Sequence, residues 1–341
     1  MKSDFTINEK LCTTLCQTFG PSGREAAILQ YIKSQISDYT DDIFYDGLGS
    51  LIAFKKGKDS SKRMMFCAHA DEIGLVVTKI DSKGFIRFAT VGGVAYTKKL
   101  GGQRVIFENG LVGIIALERC SDDLKNDISS FYIDIPSLTC GTSKKSVAIG
   151  DFATFVSDTI FQDGFIVSKV LDDRIGCYLL IETLKRIGLP AIDSYFVFSV
   201  QEEVGARGAA TATYMIKPNY AFAVDVTLCG DTLESLPLNM QLTKGVCIKA
   251  KDRGIIVQTK VVNYLIELCK KNRINYQMEV LPYGATDAST ISLVEGGVTS
   301  GVLSVACRYV HSASEVVSYK DVASTLMLLI AICQQPFSFG E

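Results

Sequence analysis

Only two histidines occur among the 341 residues, His69 and His311. Imidazole nitrogen is a common ligand for borderline metal ions, so this scarcity narrows where such chemistry could sit. His69 follows the apolar run Met64–Ala68 and precedes Ala70-Asp71-Glu72. His311 follows Arg308-Tyr309-Val310 and precedes Ser312. A lone histidine at a strand end is more often a satisfied polar group than a ligand. The acids change that balance. Asp172-Asp173-Arg174 opens a helical pattern, and capping explains one Asp at a helix N-terminus better than two. Gln201-Glu202-Glu203 follows the apolar run Tyr195–Val200, and Asp225 follows Tyr220–Val224. Gly284-Ala285-Thr286-Asp287 offers a further acid in a turn. Acids at the carboxyl ends of buried strands lie where open α/β sheets build their sites.

Two imidazoles with several carboxylates suit Zn²⁺, Co²⁺ or Mn²⁺. Two ions about 3.5–4 Å apart need a bridging carboxylate and together stabilise a hydrolytic transition state. A carboxylate that holds no metal must then take the proton from the attacking water. Glu202 and Glu203 fit this division, because neighbouring residues at a strand end point differently. Other functions compete. An endoglucanase needs two carboxyls flanking the sugar bond and no metal, which leaves the histidines without a role. A metal-dependent deacylase or other amide hydrolase would use the same donors. A non-catalytic, metal-stabilised interaction protein would be marked by lost donors, and here the set is intact.

The elements that must position these groups alternate. Ser22-Gly23-Arg24-Glu25 reads as a capping box before Ala26, Ile28, Leu29 and Ile32. Ile43–Phe54 reads as strand, turn at Asp46-Gly47, strand. Met64–Ala68, Tyr195–Val200 and Tyr220–Val224 read as buried strands. Ile175–Ile187, Gly205–Met215, Val257–Cys269 and Val322–Ile332 carry helical spacing. This is the pattern of an α/β fold: a mostly parallel sheet with helices on both faces. From about Glu72 to Phe165 the rhythm breaks into short β-type runs: Leu75–Ile80, Phe85–Val91, Gln103–Phe107, Leu111–Leu117, Ser130–Ile135, Phe152–Val156 and Gly164–Val167. We expect an inserted small β-barrel-like domain over 72–165 within a domain formed by 1–71 and 166–341 that carries these candidate residues.

Composition excludes several partners. The chain is 48% hydrophobic and 21% charged, enough for a full core, with a formal net charge of -2. Nothing there attracts nucleic acid or an anionic membrane. Apolar runs such as Leu326–Cys333 are far shorter than the ~20 residues of a membrane span. Met1-Lys2-Ser3-Asp4-Phe5 lacks the apolar core of a signal peptide, so a cytoplasmic location is expected. There are 11 cysteines, but no C-x-x-C pair, and most lie in apolar stretches, where reduced thiols act as small hydrophobes.

Five segments together carry a resemblance. They are Cys67-Ala68-His69-Ala70-Asp71-Glu72-Ile73-Gly74, Leu171-Asp172-Asp173-Arg174-Ile175-Gly176, Val200-Gln201-Glu202-Glu203-Val204-Gly205, Val224-Asp225-Val226-Thr227 and Arg308-Tyr309-Val310-His311-Ser312. In this order they resemble the glutamyl and tetrahedral aminopeptidases of metallopeptidase family 42. The resemblance runs from Pro21-Ser22-Gly23 to the last helix. It implies a dinuclear metal-dependent aminopeptidase acting on the N-terminal residues of short peptides. His69, Asp172, Glu203, Asp225 and His311 would hold two divalent ions, with Asp172 bridging. Glu202 would be the general base, and Asp71 the acid that orients His69. The Asp172–Asp173 peptide is expected to be cis. A homo-oligomer, dodecameric in many members, is implied as well, with 1–71 and 166–341 as the catalytic domain and the insert over 72–165 as lid or oligomerisation domain. Two departures concern specificity: Ser50 stands where many relatives have Asn, and Ala285 where a Gly-rich turn is usual.

Overall fold

The computed structural model describes residues 6–94, 100–118, 128–233 and 235–335. Near the N-terminus come helices α1 (Glu9–Gln17) and α2 (Ala26–Ile36), then strands β1 (Asp42–Tyr45), β2 (Leu51–Lys55) and β3 (Asp59–His69). Six strands follow: β4 (Gly74–Ile80), β5 (Ile86–Val91), β6 (Arg104–Phe107), β7 (Val112–Leu117), β8 (Phe131–Asp134) and β9 (Phe152–Phe155), with short helix α3 (Pro136–Thr139) before β9. The chain continues through β10 (Ile160–Gln162), β11 (Phe165–Ser168), α4 (Leu171–Arg186), β12 (Ile192–Ser199), α5 (Arg207–Ile216) and β13 (Tyr220–Leu228). It ends with β14 (Val246–Lys251), α6 (Thr259–Asn272), β15 (Tyr276–Val280), α7 (Ala288–Ile291), β16 (Thr299–Arg308), β17 (Glu315–Ser318) and α8 (Tyr319–Gln334).

Eleven strands form one sheet in the order β1-β2-β12-β3-β13-β16-β17-β11-β10, with β14 and β15 branching from β16. The central strands β12, β3, β13 and β16 are parallel. Antiparallel strands extend both flanks. The sheet is therefore parallel where it is buried on both faces and antiparallel towards its edges, as sheet physics favours. Side chains alternate between the faces. Phe66, Phe196 and Phe222 pack with the helices α1, α2, α4, α6 and α8. Met65, Cys67, Val197 and Ala221 pack on the other side with α5 and α7.

Strands β4-β5-β8-β7-β6-β9 close into a separate barrel. Its core is made of alternate residues such as Leu75 and Val77, Ile86 and Phe88, Val105 and Phe107, Phe131 and Ile133. The hairpin β10–β11 does not join it. Gly164–Val167 reads with the barrel strands in sequence, yet Phe165 to Ser168 pair with Ser318 to Glu315 of β17, so this segment belongs to the large sheet. Its partner lies about 150 residues onward, beyond the reach of any local pattern.

The chain enters the barrel after β3 and returns before α4. A buried polar cluster holds both crossings. Glu72 Oε2 accepts from Lys169 Nζ at 2.6 Å and from Thr154 Oγ1 at 2.5 Å. Glu72 Oε1 accepts from Gly20 N at 3.1 Å and has Arg174 Nη2 at 3.6 Å. Each of these side chains is buried. A buried charge is tolerated only when paired and hydrogen-bonded, and here the pairing ties the barrel strand β9 to the start of α4. The Ser22–Glu25 spacing is used differently from a capping box. Glu25 is the N-cap position of α2, with no side-chain cap. Ser22 Oγ instead donates to Asp71 Oδ2 at 2.6 Å.

Candidate metallopeptidase active site

The parallel strands β12, β3, β13 and β16 end on the same side of the sheet, and the chemistry gathers there. His69 is the last residue of β3. Glu202 and Glu203 lie in the turn after β12, and His311 in the turn between β16 and β17. The sequence pattern places Asp225 at a strand end. The strand instead runs on to Leu228, and Asp225 lies inside it, opposite Ser304 of β16. His69, Asp172, Glu202, Glu203, Asp225 and His311 all line one cleft of about 490 Å³. Asp71 lies behind it, fully buried.

Asp172 and Asp173 open α4 but leave helical geometry, and the peptide between them is cis. Their carboxylates divide two roles. Asp173 is the cap: its Oδ1 accepts from Gly176 N at 3.0 Å and its Oδ2 from His69 N at 3.2 Å. A Cβ on Gly176 would fall 2.3 Å from Asp173 Oδ1, so a side chain there would push this carboxylate out of its place. Asp172 turns into the cleft. Its Oδ1 is 3.0 Å from His69 Nε2, and its Oδ2 is 3.3 Å from His311 Nε2. Glu203 Oε1 lies 3.2 Å from His311 Nε2, and Asp225 Oδ1 lies 3.9 Å from His69 Nε2.

Asp71 does more than face His69. The nearer partner of His69 Nδ1 is the Asp71 carbonyl, at 3.2 Å, with carboxylate Oδ1 at 3.5 Å. The second distance is long for a hydrogen bond. The carboxylate is engaged elsewhere: Oδ1 accepts from Glu202 N at 2.9 Å, and Oδ2 from Glu203 N at 3.2 Å. It therefore holds the whole acidic turn. Glu25 Oε1 supports the same turn by accepting from Gln201 N at 3.1 Å. Glu315 escaped the sequence reading. Buried, it accepts from Asp172 N at 2.9 Å and from His311 N at 2.8 Å, fixing two site residues at once. No local signal marks it. The backbone is left-handed at Val170, Gln201, Tyr309 and His311 around the site.

The charges are unbalanced without a cation. Burial pushes the Glu202 carboxyl well above the usual range, and Asp287, Asp225 and Glu203 add to this against the pull of His69. Burial does the same to Asp225, with Asp172 next to it, and to Asp173, with Asp225 next to it. Burial opposes charge on His311, yet the Asp172 and Glu203 carboxylates prevail and push it up to about 12. Burial likewise opposes charge on His69, and Asp172 and Asp71 outweigh it. The imidazoles thus stand in for positive charge that the acids demand. Among the described residues, the ion pairs of Asp172 and Glu203 are with imidazoles alone. Two nitrogen and several oxygen donors, buried and short of positive charge, fit divalent ions well. Among the described residues, two groups bring their donor atoms within 4.8 Å of one another, His69 with Asp172 and Glu203 and His69 with Asp173 and Asp225; both share His69 and neither includes His311.

Residues 49–328 match the M42 glutamyl aminopeptidase family. The chain belongs to that family. It is a metal-dependent aminopeptidase, a hydrolase of peptide bonds. A protein of Acetivibrio thermocellus is 46% identical over 316 residues, covering 92% of this chain and 95% of its own. The lysyl aminopeptidase of Pyrococcus furiosus is 32% identical over 350 residues, covering 96% and 97%. Among solved structures, the TET1 peptidase of Pyrococcus horikoshii superposes with a TM-score of 0.84 at 31% identity, covering 96% and 99%; its description states that it can assemble into a tetrahedron or a large octahedral shell. The M42 fold accounts for both the large sheet and the closed barrel seen here.

Two further residues of the sequence segments named above are placed as follows. Asp287 is buried beside the cleft, where its Oδ2 accepts from Ser199 Oγ at 2.5 Å and Cys67 Sγ at 3.1 Å. Arg308 is partly exposed and paired to Asp231, Nε to Oδ1, at 2.9 Å.

Proposed function

We propose that His69, Asp172, Glu203, Asp225 and His311 hold two divalent cations, and that Glu202 is the general base of N-terminal peptide hydrolysis. The observation that carries this is Asp172. Its two oxygens face different histidines, which is what a carboxylate shared by two ions must do. Asp225 completes the His69 side and Glu203 the His311 side. Asp173 is close enough to compete with Asp225, but both its oxygens are committed to backbone N–H groups.

When bound, such a pair polarises the scissile carbonyl and acidifies the attacking water. The chain's own groups do the rest. Glu202, buried among other acids, takes the proton from that water and delivers it to the leaving amine. Asp71 and Glu25 hold the Gln201–Glu203 turn in place through its backbone N–H groups. The cleft falls in the ~300–1,000 Å³ range of small-ligand sites. Leu228, Leu281 and Tyr283 on its wall would receive an N-terminal side chain. A glycosidase reading would require two acids free to flank a sugar bond, whereas here Asp172 and Glu203 sit on imidazoles.

Chelation should abolish peptide turnover. Reloading the metal-free protein with Zn²⁺, Co²⁺ or Mn²⁺ should restore it to different extents on aminoacyl chromogenic substrates, which identifies both the working metal and the preferred side chain. Full turnover after exhaustive chelation would overturn the reading.

Two broader features complete it. The described residues contain no helix long and apolar enough to cross a membrane. Ten described cysteines are free, nine of them buried, which suits a reducing, cytoplasmic location. By analogy with the TET1 peptidase, the chain would form a homo-oligomer, a dodecamer in the tetrahedral form, with the barrel of β4 to β9 as lid or contact domain. Light scattering at micromolar concentration should give a mass many times the 37.2 kDa of one chain; a monomer mass would reject the assembly.

A further inference from the structure

The two histidines are held in different ways, and the difference assigns a role to the barrel. His69 Nδ1 faces the Asp71 carbonyl, two residues away on the same strand end. His311 Nδ1 instead faces the carbonyl of Gly93, at 3.1 Å. Gly93 lies just after β5, in the barrel, 218 positions from the histidine it touches. A carbonyl accepts but never donates. The ring therefore keeps a proton on Nδ1, and a bound cation would replace the proton on Nε2, the atom that faces Asp172 and Glu203.

The fit is close. A Cβ on Gly93 would fall 2.7 Å from both Cε1 and Nδ1 of His311. Next to it, a Cβ on Gly92 would fall 3.0 Å from the Glu203 Cβ and 3.1 Å from Glu203 Oε2. Two successive barrel glycines thus press on the two side chains proposed to hold one metal ion. His311 itself sits in a left-handed turn, with its N–H anchored by Glu315. Its ring is held on one side by the barrel and on the other by the acids.

We propose that Gly93 is a positioning residue for the His311 metal position, and that the barrel thereby completes one half of the metal centre. This rests on the two-ion reading above. Partners that orient a metal-bound histidine typically contribute about 10–100-fold in metal affinity or activity. The Gly93→Ala holoenzyme should therefore keep wild-type affinity for one ion and lose about 10–100-fold for the other, with turnover recovering as free metal is raised. Gly150→Ala is the control: its added Cβ meets nothing within 4 Å, while its φ of +90° strains any side chain there, so it reports what backbone strain near the barrel does without a contact to the site. It should bind both ions normally.

Metal titration by calorimetry with elemental analysis reads the outcome independently of activity. If wild-type protein binds fewer than two ions, the two-ion reading fails. If wild type and Gly93→Ala both bind two ions with equal affinity, the role of Gly93 fails alone. Should Gly93→Ala not fold, ¹⁵N-histidine NMR of the wild-type holoenzyme decides the matter. With only two histidines, both rings should show a protonated Nδ1. A ring assigned to His311 with bare Nδ1 would overturn the proposal.

Discussion

Glu202→Gln should leave an enzyme that folds, binds its full complement of metal and barely turns over, about 10²–10⁴-fold below wild type. The amide keeps the size of the side chain but cannot accept the proton. Glu202 is suited to that task by its surroundings. Asp71 fixes the N–H groups of both Glu202 and Glu203, and of the two carboxylates it is Glu203 that pairs with the His311 imidazole. The burial of Glu202 among acids raises its affinity for a proton. Glu203→Gln should behave differently, losing metal affinity as well as rate, because Glu203 Oε1 faces the same His311 nitrogen as Asp172. Metal content and peptide turnover measured on both variants separate the roles. A Glu202→Gln enzyme with near wild-type turnover would remove Glu202 from the mechanism.

Asp172→Asn should be the most damaging change to the metal centre. The amide replaces one acceptor oxygen with an NH₂ donor and removes the charge that both histidines share. Whichever way the amide is turned, one of the two imidazoles then faces an N–H donor. We expect at most one ion per chain in the variant. Linkage gives a second readout: a ligand at 100 times its dissociation constant stabilises the folded state by about 2.7 kcal/mol. Added metal should raise the melting temperature of wild type and raise that of Asp172→Asn far less. Two ions bound at wild-type affinity would show that Asp172 is not shared.

The contrast between Asp172 and Asp173 shows where sequence reasoning reaches its limit. Two adjacent acids at a helix start signal more than a cap. Only the structure decides that Asp173 is the cap and Asp172 the residue that enters the cleft. The Ser22–Glu25 spacing is a sound local signal for a capping box, yet the Ser22 hydroxyl is taken by Asp71, 49 positions away. A local motif offers a hydrogen bond; a stronger partner brought close by the fold can claim it.

Much of this protein was determined locally. The alternation of apolar residues marks the buried strands and helices, because periodicity records which faces leave water. The loss of helical spacing after β3 marks the barrel for the same reason. Two histidines and a set of acids behind apolar runs confine the chemistry to a few residues. Tertiary structure decided the rest. It placed β10 and β11 on the large sheet, because their pairing strand β17 comes about 150 residues later. It carried Asp225 into the interior of a strand by pairing it with Ser304. It gave Glu315 and Gly93 their work at distances of 143 and 218 positions from the groups they hold. A residue's type and neighbours state which bonds it can make. Which of them it makes depends on the surfaces that meet when strands from distant parts of the chain pack side by side.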